Sequence, residues 1–333
     1  MRNSRLAFAS RRAIGFLFFT CLLVIASRAS IKAQQSSVSA NSADTLQGID
    51  LYRQGHISEA IMLLTRAVKG DENDADAWYY LGLSYKRIGS TCEAIPAFER
   101  VRILRPDFVD AYSNLAVMWV HRGNAVGAKA IAQRAIELGD NSAEMQYVIG
   151  AANLQEGNAA KALEEAETAL KIQPEFARAF LLKSFAHIGL NQYQEAAESL
   201  EKFLAASPDD QDAATWRGQI ETLRALAQAG EKSDVSSRIF SPKEVATRAH
   251  MLSRPEPQYT EEARRACLEG SVILRGVMAE DGKVKNLLVI RALGYGLTTR
   301  AVNAARSIKF IPASVDGRPV SQSIQIEYNF NLF

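Results

Sequence analysis

Cysteine and histidine are scarce, and charge of neither sign prevails. The 333 residues include three cysteines and four histidines, with 39 basic against 37 acidic side chains. So even a balance, with no basic stripe, leaves no electrostatic case for nucleic acid. The histidines His56, His121, His187 and His250 are scattered, and none has a metal-ligand spacing with a cysteine or another histidine. There is no glycine-rich phosphate loop and no nucleophile motif. Gly294-Tyr295-Gly296 reads as a loop between strand and helix, not as a nucleotide fingerprint. The acidic pair Glu164-Glu165 reads as a solvated helix face. Cys21 falls in a targeting segment, and Cys92 and Cys267 are expected to be buried free thiols. A disulfide between those two requires folding to bring separate domains together, because its geometry demands close Cα atoms. The expectation is a protein that is not an enzyme and holds no cofactor or metal.

Long apolar runs are also lacking, save one. Ala13 to Ala26 is apolar, preceded by Arg2, Arg5, Arg11 and Arg12 and followed by small residues such as Ala26, Ser27, Ala29 and Ser30. Basic, then apolar, then small is the layout of a secretory signal. The run is short for a membrane span of about 20 residues. Residues 1–33 are therefore either a cleaved signal peptide or an uncleaved signal anchor. Either carries residues 34–333 across the membrane, with the basic side in the cytoplasm. The expected location is the periplasm, released or anchored in the inner membrane. Residues 34–43 are small and polar and read as a flexible linker.

What is present is a period. The block from Ala75 places Trp78, Leu81, Gly82 and Tyr85 on one helix, Ala94, Phe98 and Val101 on a second, and Pro106 at its end. The same pattern restarts at Val109, Ala143 and Ala177, and backwards at Asn41, a spacing of 34 residues. Gly82, Ala94, Gly150, Ala162 and Ala196 let paired helices approach closely. A single helical hairpin cannot bury its own apolar face, whereas stacked hairpins can. Turns such as Arg122-Gly123-Asn124 join the helices, with glycine in the left-handed conformation. Residues 211–229 read as a further helix, a solvent-facing cap carrying Gln219, Glu221 and Arg224.

This pattern resembles the tetratricopeptide repeat (TPR), and five blocks plus the cap cover residues 41–229. The last block departs most, with Ser184 and His187 in place of the usual Gly and Tyr. The resemblance implies a concave groove for a protein or peptide ligand. By repeat position it is lined by Tyr79, Leu83 and Lys86, then Ser113 and Val117, then Tyr147, Ala151 and Leu154, then Arg178, Leu181 and Phe185. The family's clamp for a C-terminal carboxylate is absent. A largely apolar groove suits an apolar or helical partner. For each of these residues the alternative is a place in the core between repeats.

Beyond a polar linker at 230–243 the period breaks, and residues 244–333 read as a small α+β domain. Pro255-Glu256-Pro257 is held extended. Thr260 caps a helix, with Glu261 and Glu262 in its first turn, that ends near Gly270. Strands follow over 271–279 and 284–291, joined by a tight Asp281-Gly282 turn. A helix then spans about 297–308, and a last strand alternates Ile324, Ile326, Tyr328 and Phe330 with Ser323, Gln325, Glu327 and Asn329. A three-stranded antiparallel sheet covered on one face is expected.

Pro257-x-Tyr259, Glu269-Gly270-x-Val272, Asp281-Gly282-x-Val284, Phe310-Ile311-Pro312-Ala313 and Asp316-Gly317-x-Pro319-Val320 resemble the C-terminal domain of TonB energy transducers. Thr298 and Thr299 depart from that pattern, standing where acidic residues often begin the second helix. The resemblance implies strand addition by a segment of a TonB-dependent outer-membrane receptor, and inner-membrane motor proteins as partners if the chain is anchored. The edge expected to take the segment is 323–330, with Ser323, Gln325, Glu327 and Asn329 as contact residues. Against an energy transducer stands a periplasmic scaffold or assembly adaptor without energy transduction. No proline-rich spacer is present.

Overall fold

A computed structural model describes residues 42–231 and 239–332. The expected signal, most of the first linker and residues 232–238 of the second lie outside the described residues. Among the described residues no helix is long and apolar enough to cross a membrane.

A helix α1 over residues 42–54 opens the described chain. Next come α2 (Ile57–Gly70), α3 (Ala75–Arg87), α4 (Thr91–Leu104), α5 (Val109–His121) and α6 (Ala125–Glu137). They are followed by α7 (Ala143–Gln155), α8 (Ala159–Ile172), α9 (Ala177–Gly189), α10 (Tyr193–Ala206) and α11 (Ala213–Glu231). First helices begin at 75, 109, 143 and 177, and second helices at 57, 91, 125, 159 and 193. The 34-residue sequence period is thus the helix period. Ala94, Ala162 and Ala196 are fully buried. A Cβ on Gly150 would lie 2.6 Å from Leu182 and 3.0 Å from Glu165, so close approach excludes a larger residue there.

The chain divides into two compact units, one up to Ser84 and one from Tyr85 on. In the first, Thr45 Oγ1 donates to Asp74 at 2.6 Å, Arg66 pairs with Asp44, and Tyr52 meets Tyr80 edge-on at 5.5 Å. The second holds the remaining repeats and the C-terminal fold.

That fold comprises β1 (His250–Ser253), α12 (Glu261–Arg265), β2 (Gly270–Met278), β3 (Val284–Arg291) and α13 (Leu297–Arg306). It ends with β4 (Lys309–Ile311), β5 (Ala313–Val315), β6 (Arg318–Val320) and β7 (Gln322–Phe330). The main sheet is three-stranded and antiparallel, in the order β3-β2-β7. Two further pairs, β1 with β4 and β5 with β6, are too short to show a period in sequence. Thr260 caps α12, accepting from Ala263 N–H at 3.2 Å. That helix stops at Arg265, short of Gly270, because Cys267 turns the chain with a φ of 48°. The β2–β3 loop is wider than a two-residue turn. Gly282 N–H donates to Ala279 at 3.0 Å, and Gly282 takes the left-handed conformation.

One apolar core runs from the last repeat into the sheet. It joins Phe185, Leu200, Trp216 and Leu223 to Leu274, Leu288, Val302 and Tyr328. The cap helix α11 is therefore not solvent-facing on this side: Trp216 and Gln219 are each 2% exposed. The free-thiol expectation is likewise corrected. Cys92, at the surface start of α4, forms a disulfide with Cys267, their Cα atoms 5.6 Å apart across 175 residues of sequence. Folding does bring the repeats and the C-terminal fold together.

The disulfide closes a long loop, so its loss raises the entropy of the unfolded chain. Replacing both cysteines by serine is expected to remove about 2–5 kcal/mol. Denaturant unfolding should reproduce that loss when the unaltered chain is treated with a dithiol, and should be unmoved by the dithiol in the double variant.

Candidate functional site

The repeats and the sheet meet through polar groups as well as apolar ones. Asp212, immediately before α11, is 3% exposed. Its Oδ1 accepts from the Thr299 N–H at 2.8 Å and the Thr299 hydroxyl at 2.7 Å. Thr299 is the third residue of α13, whose N-cap, Gly296, has no side chain to serve the first-turn donors. The acidic group absent from the start of α13 is thus supplied from the repeat array. Burial pushes the Asp212 carboxyl up, and the Thr299 bonds oppose that shift. Gln219 on α11 acts similarly on β3. Its Oε1 accepts from Val289 N–H at 2.8 Å, and its Nε2 lies 3.5 Å from the Val289 carbonyl. The side-chain amide thus sits where a neighbouring strand would pair.

A second contact lies further up the repeats. Glu269 N–H donates to the Arg122 carbonyl at 3.2 Å. Gly123 sits in the turn with a φ of 89°, and a Cβ there would collide with the Glu269 carbonyl oxygen. The odd residues of the last repeat also have partners. The Ser184 hydroxyl donates to Ala196 carbonyl at 2.8 Å, and His187 Nδ1 to Gln192 Oε1 at 2.7 Å.

The expected groove residues do not share one environment. Phe185 is 8% exposed and stands edge-on to Trp216 at 6.0 Å, inside the core shared with the sheet. Leu154 and Leu181 pack against the same core, half-buried. Tyr147 is half-buried, edge-on to Phe176 at 5.8 Å, with the Arg178 guanidinium 6.0 Å from its ring centre. Tyr79 and Leu83 belong to the first unit and are half-buried.

Lys86 and Arg178, in contrast, both line one cavity of about 410 Å³. Helices α5, α7 and α9 form its wall, with Tyr295 from the loop before α13. Lys86 Nζ donates to Asn114 Oδ1 at 2.6 Å, and Arg178 Nη1 to His121 Nε2 at 2.9 Å. Burial, with the charges of Arg178 and Lys86, holds His121 down at about 4. His121 is therefore neutral near pH 7 and acts as an acceptor. His121 was no candidate in the sequence: it lies 57 residues from Arg178, and only the stacking of alternate helices brings them together.

Strand β7 is an outer strand of the sheet. Gln325, Glu327 and Asn329 are exposed, while Ile326, Tyr328 and Phe330 are buried. At the start of the strand, Ser323 N–H donates to the Phe240 carbonyl at 2.9 Å, so odd-numbered residues turn their peptide groups outward. Arg254 donates to the Glu327 carbonyl and lies 4.7 Å from the Tyr328 ring centre. Among the described residues no strand pairs with β7 on this side from Gln325 onward.

Comparison with known families agrees with this architecture. Residues 45–91 and 85–143 match one tetratricopeptide-repeat model, and residues 153–220 match another. Residues 255–332 match the model described as Gram-negative bacterial TonB protein C-terminal. The chain is a tetratricopeptide-repeat protein with a TonB-type C-terminal domain. Both are protein-interaction folds, and together they make a cell-envelope protein-interaction module.

Among curated proteins, the chain is 20% identical over 245 residues to FlbA of Caulobacter vibrioides, covering 63% of this chain and 41% of FlbA. It is 32% identical over 88 residues to the peroxisomal targeting signal receptor of Candida albicans, covering 26% of this chain and 15% of the receptor. The chain thus spans less than half the length of these relatives. Of solved structures, MamA is 25% identical, with a TM-score of 0.44, covering 53% of this chain and 94% of MamA. YrrB is 23% identical, with a TM-score of 0.45, covering 56% of this chain and 98% of YrrB.

Two measurements probe these contacts. Asp212→Ala leaves the first turn of α13 without its acceptor and is expected to lower stability by about 1–3 kcal/mol, with Asp212→Asn milder. The second is a pH titration. Because His121 titrates at about 4 in the fold against an ordinary 6.5, acid protonates the unfolded chain first. Stability should fall as pH drops through that window, by up to about 3 kcal/mol, and His121→Gln should flatten that part of the profile.

Proposed function

We propose that this protein is a non-enzymatic adaptor of the periplasm. Its repeats hold one protein partner, and strand β7 pairs with an extended segment of an outer-membrane transporter. The observation that carries this reading is the β7 edge: outward peptide groups from Gln325 onward, beside exposed Gln325, Glu327 and Asn329. Such an edge offers backbone pairing for affinity and alternate side chains for selectivity. The TonB-type match over residues 255–332 supports the choice of partner.

A transducer reading would add inner-membrane motor proteins and an anchored residue range 1–33. One observation favours the adaptor without force transmission. The sheet is fixed to the repeats by a shared core, a disulfide and the Asp212 and Gln219 contacts. A domain so held suits fixed spacing between two partners better than an independent reach.

Titration of the full chain with N-terminal peptides of outer-membrane transporters tests the β7 reading. At least one peptide should bind. Gln325→Pro, which deletes an outward N–H, should weaken it about tenfold or more, whereas Gln325→Ala should not. Arg254→Ala, which frees the Glu327 carbonyl, should tighten it. Failure of a broad peptide panel, or indifference to Gln325→Pro, would sink the proposal.

A further inference from the structure

The ribbon of β1 and β4 leaves large apolar side chains in the open. Leu252 is 62% exposed, Ile311 55% and Met251 42%. Phe310 turns into the core, so its neighbours Lys309 and Ile311 turn outward, opposite Ser253 and His250. Leu252 has no partner on β4, because the register slips between Met251 and Ser253 and leaves it as the extra residue of a bulge. Basic side chains surround this face. Arg248 shares the side of His250, since Ala249 between them packs against the core. Its Nε donates to the Pro242 carbonyl at 3.0 Å, which brings Lys243 close. A bridge between Thr247 and Ser314 joins the ribbon to β5 and β6, which add Arg318. Lys243, Arg248, Lys309 and Arg318 are exposed, and among the described residues none is in an ion pair. The acids of the same stretches are Glu244 and Asp316, and Glu244 accepts from Ser241 N–H at 2.7 Å. Arg254 turns instead to β7, toward Glu327 and Tyr328.

This basic excess is local. The first 33 residues hold six of the 39 basic side chains and none of the 37 acidic ones, so residues 34–333 carry 33 against 37 and are net acidic. A basic and apolar face on an acidic body is complemented by a surface that is anionic outside and apolar beneath. A second copy of this chain complements it poorly, because a two-fold contact sets the face on itself and brings like charge onto like. We infer that the β1–β4 ribbon docks on an anionic lipid bilayer. Leu252, Ile311 and Met251 enter the headgroup layer, and the four cations meet lipid phosphates around them. Each basic side chain near such a surface adds about fivefold to partitioning, an effect that salt screens. Arg254 directly follows β1 and bonds the Glu327 carbonyl, so docking also brings the β7 edge near the bilayer. The inference does not rest on strand addition at β7: a chain that binds no transporter peptide still docks.

The test uses the full chain carrying Leu252→Trp, with Ile311→Trp as a second probe, and vesicles whose acyl chains carry bromine, a quencher of indole fluorescence. One set mixes phosphatidylglycerol with phosphatidylcholine, and the other is phosphatidylcholine alone. The first 33 residues, basic and apolar, favour the mixed vesicles on their own account, so the readout is local to the ribbon. The introduced indole is expected to be quenched by the mixed vesicles, beyond any change in the unaltered chain, and far less by the neutral ones. Adding Arg248→Gln and Lys309→Gln, with folding checked by circular dichroism, should raise the lipid needed for half-quenching about twentyfold. Raising the salt should act in the same direction without any further substitution. Co-sedimentation with vesicles while both probes stay unquenched overturns the inference, because the chain is then held elsewhere. Equal quenching by both vesicle sets, indifferent to salt and to the cation variants, overturns the anionic surface. A dimer formed without lipid and dispersed by Ile311→Ser assigns the face to a second copy and overturns it as well.

Discussion

The joint between the last repeat and the C-terminal sheet is the constraint on which the second compact unit depends. A helical hairpin array ends with an apolar face that must be covered, and here the cover is a sheet. Trp216, Ile220 and Leu223 of α11 enter the same core as Leu274, Leu288 and Tyr328. Around that apolar contact, two buried polar side chains are matched: Asp212 with the start of α13, and Gln219 with Val289. An unmatched buried amide or carboxylate would destabilise the joint by more than its bond contributes, so these pairings also fix how the two parts sit. The disulfide between Cys92 and Cys267 also ties the repeats to the C-terminal fold.

The repeat array was legible in the sequence because its causes are local and periodic. Gly150 and Ala162 recur at places where helix axes approach, and the helix starts follow the same spacing. The main sheet was legible for a related reason: Ile326, Tyr328 and Phe330 alternate with polar residues, and alternation is the strand's own period. The short strands β1, β4, β5 and β6 carry too few residues for alternation to register. The early stop of α12 rests on Cys267 adopting a left-handed backbone, a conformation that a cysteine side chain does not announce.

What the sequence hid were long-range pairings between residues with ordinary local roles. Asp212 reads as part of a turn and Thr299 as a helix residue; their bond spans 87 positions. Gln219 reads as the polar face of a cap. The cation pair was half visible, since Lys86 and Arg178 fell at groove positions, but neutral His121 between the helices was not. Phe185, Leu154 and Leu181 fell at groove positions as well, and the sheet occupies their surroundings, because a repeat-based rule assumes an array whose surface is bare.

The Gln219 amide has a consequence for valence. A three-stranded sheet has two edges, and a chain with both available can grow from either side, strand upon strand, into open-ended assemblies. Here Val289 meets a side chain from α11, so the β3 edge is capped at that residue within the molecule. A segment docking on β7 therefore adds a single strand and presents its own far edge to solvent. Under the proposed strand addition, extension would come from the guest and not the host, giving one guest strand for each sheet.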